Sequence, residues 1–465
     1  MKNTLRILVV AFLSVMSTTL HAEILSTTDR QTLQQLKSQA QQSSLSYELL
    51  ESLTTEVGPR LAGTEGDKKA IAWASAKMRA LGFDKVWTEE VSIPKWTRGD
   101  LSLQVVSPYP HNLFGISLGG SIGTKRSGIT AEIVEFKDLA ALEAAPAGSL
   151  NGKIAFVSFR MERLIDGSGY GVAVGARSKG ASVAAEKGAV AFILRSVGTD
   201  NNRTPHTGGM NYADGIKKIP AAAISNPDAD LLVNMLKREQ PVKVKFKSTA
   251  RRYDKKIVKT ANVIGEITGS EAPDEIVAIG AHLDSWDVGT GAMDDGLGVA
   301  IVMASAAMIG EQAVKPKRTI RVILYGAEEI GFYGTKQYML DHADEVGKHI
   351  IGAEWDFGIG KIYELRPGVG AQSLTAIADL AGHLESLGVS LSDSNDAKAQ
   401  SDMSLLSNAG MPAVNFRPDG THYFDLHHTE NDTLDKIDAE DMKQNTAVYT
   451  LFAWFAAQSG VDFRR

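Results

Sequence analysis

Residues 276–300 read IVAIGAHLDSWDVGTGAMDDGLGVA. The apolar run from Ile276 to Ala281, with acidic residues just before it, predicts a buried strand. His282 and Asp284 stand at its C-terminal end, a Gly-rich loop carries Asp294 and Asp295, and a helical pattern begins at about Leu297. Open α/β sheets do their chemistry outside the carboxyl ends of their strands. Imidazole and carboxylate gathered there, in a chain with no cysteine, point to a hard or borderline divalent metal.

Downstream, strand and helix patterns alternate. Thr319–Tyr325, Ile350–Ala353 and Ala413–Phe416 read as strands. Leu297–Ile309, Gly334–Leu340, Ser373–Leu387 and a final segment capped by Asp438 read as helices. Such alternation predicts an α/β fold with a mainly parallel sheet covered on both faces.

Further strand ends carry polar residues that packing alone does not require. Tyr325 is followed by GAEEIG, which sets Glu328 and Glu329 side by side, although paired carboxylates on a turn often mark only a solvated helix start. The next strand ends in Glu354-Trp355-Asp356, and the last loop holds His427, His428, Thr429 and Asp432. Two His, one Glu and two or three Asp exceed the three protein ligands of a single catalytic zinc. They fit two metals about 3.5–4 Å apart that share a carboxylate and a water. Asp294 is the bridging candidate, and Asp284 the acceptor that fixes the tautomer of His282. Of the two glutamates, one can bind metal while the other acts as general base.

Upstream, Gln-, Leu- and Ser-rich residues 23–57 read as one or two helices, either a propeptide or an integral first element. GPRLAGTEGDKKA then gives a Gly/Pro turn and Thr64 as N-cap of a helix that stops at Gly82. Residues 101–250 have a βαβ rhythm of their own and a long polar loop, NNRTPHTGGMNYADG, so they are expected to form an inserted domain. One continuous sheet is the alternative. His206 and Tyr212 in that loop contact substrate if the insert folds over the cleft; His422 and Tyr423 stand close before the final histidines.

With 465 residues, more than one domain is expected. The net charge of −6 argues against a nucleic-acid partner. Lys2 and Arg6 followed by an apolar Ile7–Met16 predict an export leader over residues 1–22, and hence a periplasmic or secreted protein. An N-terminal helix of the mature fold is the alternative. Without the leader the balance is 47 basic against 55 acidic residues. No later apolar run approaches the roughly 18 residues of a stable membrane span.

HLDSW, GAMDDGLG, AEEIG, the ExD of Glu354–Asp356 and HHTxxDT occur in that order, and together they resemble the di-zinc exopeptidase family that contains aminopeptidases and glutamate carboxypeptidase. The resemblance runs from about residue 45. It implies a mixed, mainly parallel sheet with an inserted protease-associated lid over residues 101–250, two Zn²⁺ ions, and allows a homodimer. Carried over by motif, His282 and Asp356 hold one zinc, Glu329 and His428 the other, Asp294 bridges them, and Glu328 is the general base. His428 is preferred to His427 because the family's ligand immediately precedes a small hydroxyl residue. The expected activity is hydrolysis of a terminal bond in dipeptides or short peptides. A carboxypeptidase or dipeptidase is expected, with an aminopeptidase of the same family as the alternative. A single-zinc aminoacyl cyclotransferase and a non-catalytic peptide-binding or receptor-type ectodomain are the rival readings. AQSDMSLL, around Asp402, departs from the Gly-rich version of relatives and leaves the cleaved end open.

Overall fold

The computed structural model describes residues 24–465, so the leader predicted over residues 1–22 lies outside the described residues. The organising strand spans Ala272–His282 and pairs in parallel with Arg318–Tyr325 on one side and His349–Glu354 on the other. His282 is in register with Tyr325, and Gly280 with Glu354. The loops that follow all three strands therefore emerge at one edge. Ala413–Pro418 extends the parallel set, with Ile362–Gly368 antiparallel beside it.

On the other side the sheet turns antiparallel through Arg251–Ile267 and Lys85–Thr97. Neither Arg251–Ile267 nor Ile362–Gly368 was legible as a strand. Lys and Arg interrupt the first, and Pro367 and Gly368 blur the second. Lys85–Thr97 continues through a register shift at Pro94 and Lys95.

The long hairpin is also the stalk of the insert. Thr97 pairs with Arg251, so the chain leaves the first sheet and returns to it at neighbouring positions. Between them lies a second eight-stranded sheet whose parallel centre is Ile129–Phe136, Ile154–Val157, Ala191–Arg195 and Ala221–Ile224. Its helix spans Gly169–Glu186. Its Gly- and Ala-rich first half conceals the helical period, because small residues mark neither an apolar nor a polar face.

The core lies against both faces of the first sheet. Leu297–Gly310 is almost wholly buried and packs on the terminal helix Ala439–Gln458, which the Asp438 carboxylate caps by accepting from the amides of Glu440 and Asp441. Among the described residues, the one helical run long and apolar enough to cross a bilayer, Ala292–Gly310, is wholly buried. Helix Thr27–Gln42 joins the same core: Leu33 and Leu36 are fully buried, and Trp454 Nε1 donates to the carbonyl of Asp29 at 3.1 Å.

Candidate metal centre

His282 is the last residue of its strand, and its ring is buried. Nδ1 lies 2.9 Å from the main-chain carbonyl of Asp284, so it carries the proton and Nε2 presents its lone pair to the site. The Asp284 carboxylate stands 3.8 Å from Nδ1 and accepts instead from the amide of Glu328 at 3.0 Å. The tautomer of His282 is thus fixed by Asp284, but through its backbone. Burial pushes the Asp284 carboxyl up to about 7.

Nε2 of His282 lies 3.1 Å from Asp294 Oδ1 and 3.2 Å from Asp356 Oδ1. The other oxygen of Asp294 lies 3.3 Å from Nε2 of His428, which is 3.0 Å from Glu329 Oε2. Asp294 therefore stands between two donor pairs, His282 with Asp356 and Glu329 with His428. His427 stacks on His428 with ring centroids 3.5 Å apart and reaches Asp294 at 3.6 Å. Its ion contacts include no Glu329, and burial beside His428 holds its pKa well below the imidazole range.

The electrostatics call for a cation. Burial opposes charge on His282, yet Asp356 and Asp294 outweigh it and hold its pKa well above the usual range. Burial pushes Glu328 well above the carboxylate range and also raises Glu329. Asp294 Oδ2 and Glu329 Oε1 are buried with no hydrogen-bond partner. Unpaired buried acceptors on carboxylates cost free energy unless a proton or a metal meets them. Three overlapping groups, His282–Asp295–Asp356, His282–Asp294–Glu329 and Asp294–His427–His428, each bring their ligand atoms within 4.8 Å of one another. Oxygen and imidazole donors in that number fit zinc.

A supporting shell holds the loop in shape. Asp432 accepts from the amides of Met293 and Asp294 at 2.6 and 3.3 Å. Asp295 accepts from the amides of His282 and Gly298 at 3.1 Å each, tying the strand end to the first turn of the core helix. Arg60 is fully buried and donates to the carbonyls of Leu283, Thr290 and Gly291. A Cβ at Gly291 would lie 2.6 Å from its Nη1, and φ there is +61°, so only glycine suits the position. GPRLAG reads as a turn in sequence, but nothing in its pattern shows that Arg60 folds beneath the loop at 283–291. Nor does the sequence around Ser401 show that its hydroxyl donates to Glu328 Oε1, at 2.9 Å.

The insert closes over this centre. A cavity of about 490 Å³ lies between the two sheets, with Tyr170, Arg177 and Gly209 of the insert facing Trp286, Glu328 and Asp356. Tyr423 lines it as well, whereas His422 is exposed and pairs with Asp425. His206 does not face the cavity. It is buried, with Nδ1 2.6 Å from the carbonyl of His427 and Nε2 2.8 Å from Asp200. Tyr212 points away and donates to the carbonyl of Ile219.

The profile of Peptidase family M28 matches residues 262–453, and that of the PA domain matches residues 129–232, inside the second sheet. Carboxypeptidase Q of Mus musculus is 34% identical over 412 residues, covering 89% of this chain and 85% of its own. A crystal structure of a peptidase M28 precursor from Shewanella amazonensis SB2B is 50% identical, with a TM-score of 0.92, and covers 94% of this chain and 98% of that one. A zinc aminopeptidase from Bacillus subtilis shares the fold at 22% identity and a TM-score of 0.64, over 90% of this chain and 97% of its own. The chain therefore belongs to the M28 family of zinc exopeptidases, with a PA domain inserted in it, and is a metallo-exopeptidase.

Proposed function

We propose that the protein is an exported di-zinc exopeptidase that hydrolyses the terminal bond of dipeptides or short peptides. His282 and Asp356 would hold one ion, Glu329 and His428 the other, and Asp294 both. Zinc at such a site supplies Lewis acidity and lowers the pKa of water towards neutrality. The observation that carries the reading is the placement of Asp294, with one oxygen turned to His282 and the other to His428.

Glu328 is the general base. Ser401 fixes one oxygen of its carboxylate, and Asp284 fixes its amide, so the group is aimed by hydrogen bonds on both sides. It takes the proton of the attacking water and returns it to the leaving amine. The insert over the cavity excludes bulk water and restricts access to short chains. Its limits, residues 101–250, follow the stalk where Thr97 pairs with Arg251. Export rests on the basic and apolar pattern of residues 1–22.

The test is hydrolysis of a dipeptide series by the purified protein before and after chelation, with zinc added back in measured steps. Activity that disappears with chelator and returns as two equivalents bind supports the reading. Hydrolysis indifferent to chelator, or full activity at one equivalent, overturns it.

A further inference from the structure

Two arginines tie the insert to the loops that carry the metal ligands. Arg98 follows the strand Lys85–Thr97, and its Nε donates to the carboxylate of Asp287, 2.8 and 3.0 Å from the two oxygens. Nη2 donates to the same carboxylate, while Nη1 reaches the insert, at the carbonyl of Ser117 and, at 2.7 Å, the Thr207 hydroxyl. The guanidinium lies 5.0 Å from the ring centre of Trp96 and 5.2 Å from that of Trp286. Asp287 belongs to the loop between His282 and Asp294.

The other arginine, Arg163, belongs to the insert itself. Its Nη1 and Nη2 each donate to one oxygen of Asp425 at 2.6 Å, and Asp425 stands three residues before His428. Thr199 of the insert gives its hydroxyl to Asp425 at 2.7 Å and its amide to the carbonyl of Phe424 at 2.9 Å. Nearby, Asp166 of the insert pairs with Arg417 at 3.6 Å.

A two-point pair between guanidinium and carboxylate fixes orientation as well as distance. Both pairs cross from the insert or its stalk to the first domain. Their carboxylates are partly exposed, 30% for Asp287 and 19% for Asp425, and pairs of that kind add little to the stability of a fold. Their effect falls on where the insert sits. A domain joined by two strands moves relative to its neighbour unless the surfaces between them are tied. Trp96 and Trp286 beside the first pair, and Tyr423 and Phe424 beside the second, are walls of the cavity.

We infer that Arg98 and Arg163 determine specificity for substrate length, by latching the insert in one position over the cavity. The inference rests on the exopeptidase reading, in which the insert restricts access to short chains. With both latches made, a longer peptide meets a fixed wall. Release of either lets the insert tilt about its stalk and opens the cavity to longer chains.

The test measures kcat/KM for a dipeptide and for a pentapeptide of the same residues, with the full chain at saturating zinc. Wild type is expected to favour the dipeptide. Arg98→Ala and Arg163→Ala are each expected to lower that preference by about tenfold, chiefly through a lower KM for the pentapeptide, with zinc content unchanged. Tenfold is the lower end of what a hydrogen bond to a charged group contributes, as suits partly exposed partners. Arg98→Lys keeps the charge without the fork and should lose less. The reversed pair, Arg163→Asp with Asp425→Arg, should recover part of the preference that Arg163→Asp alone removes, which separates the latch from damage to the fold. A wild type indifferent to length overturns the inference and leaves the exopeptidase reading standing. So do alanine variants whose preference is unchanged, or whose activity falls equally on both peptides. A wild type that hydrolyses neither peptide defeats both readings.

Discussion

The main-chain carbonyl of Thr207 lies 3.3 Å from Nδ1 of His428. A loop of the insert thus accepts from the ring whose other nitrogen faces Asp294 and Glu329. The contact is reciprocal, because the amide of Thr207 donates to the carbonyl of His428 at 3.0 Å. His428 itself has φ of +61°, an uncommon backbone state for a bulky side chain that needs support from its surroundings. The insert is therefore part of what shapes the metal centre, as well as a cover over it.

His206 extends that clamp to the neighbouring residue through the carbonyl of His427. Replacing His206 with Ala leaves this carbonyl and Asp200 without their partner and loosens the loop that presents His428. Groups that orient metal ligands are worth about 10- to 100-fold in affinity. One equivalent of zinc should dissociate at correspondingly lower chelator concentration while the other is retained. Simultaneous loss of both, or unchanged affinity for both, would contradict the assignment of His428 to its own ion.

Glu328→Gln keeps the acceptor for the Ser401 hydroxyl but removes the base. Turnover should fall by about 10²- to 10⁴-fold, with zinc content unchanged by elemental analysis. Activity within a few-fold of wild type would remove Glu328 from its role.

Asp294→Asn puts an amide where both histidines now meet a carboxylate oxygen. If Asp294 serves both ions, the purified variant should carry fewer than one equivalent of zinc. A variant that retains two would show that the bridging role lies elsewhere.

The strand ends were legible in sequence because each couples a short apolar run to residues that packing does not need: His282 after Ala281, Glu328 and Glu329 after Tyr325, Asp356 after Glu354. What the sequence could not show lies in contacts between distant segments. Arg60 reaches Leu283 across more than two hundred residues, and Arg177 meets His428 across two domains. His206 seemed a candidate for substrate contact because a polar loop conceals which of its side chains turn inward. Its ring is instead taken up by the clamp. Neither periodicity nor local capping records such pairings.

Arg60→Ala tests whether the 283–291 loop is held from beneath. The change strands the carbonyls of Leu283, Thr290 and Gly291 and removes a buried cation near Asp432 and Asp284. Loss of one partner from a buried charged network costs about 3–5 kcal/mol. Denaturant unfolding of the zinc-free protein should show a drop of that size; a change below about 1 kcal/mol would mean that the loop holds its shape without the guanidinium.

His349, on the first strand beyond the organising one, predicts an acid limb to stability that is unrelated to the metal centre. Its Nδ1 donates to the carbonyl of Glu345 and its Nε2 accepts from the Tyr338 hydroxyl at 2.8 Å, so the neutral ring is fully used. Burial holds its pKa down at about 4, against 6.5 for the exposed group. Between those values the unfolded chain binds a proton that the folded chain does not. Stability from this group is therefore complete above about pH 6.5 and is lost as pH falls towards 4, by on the order of 3 kcal/mol. His349→Gln should be less stable than wild type at pH 7, and its stability should fall less steeply between pH 6.5 and 4. Parallel pH profiles for the two proteins, measured by denaturant unfolding without zinc, would show that His349 takes no part in the acid limb.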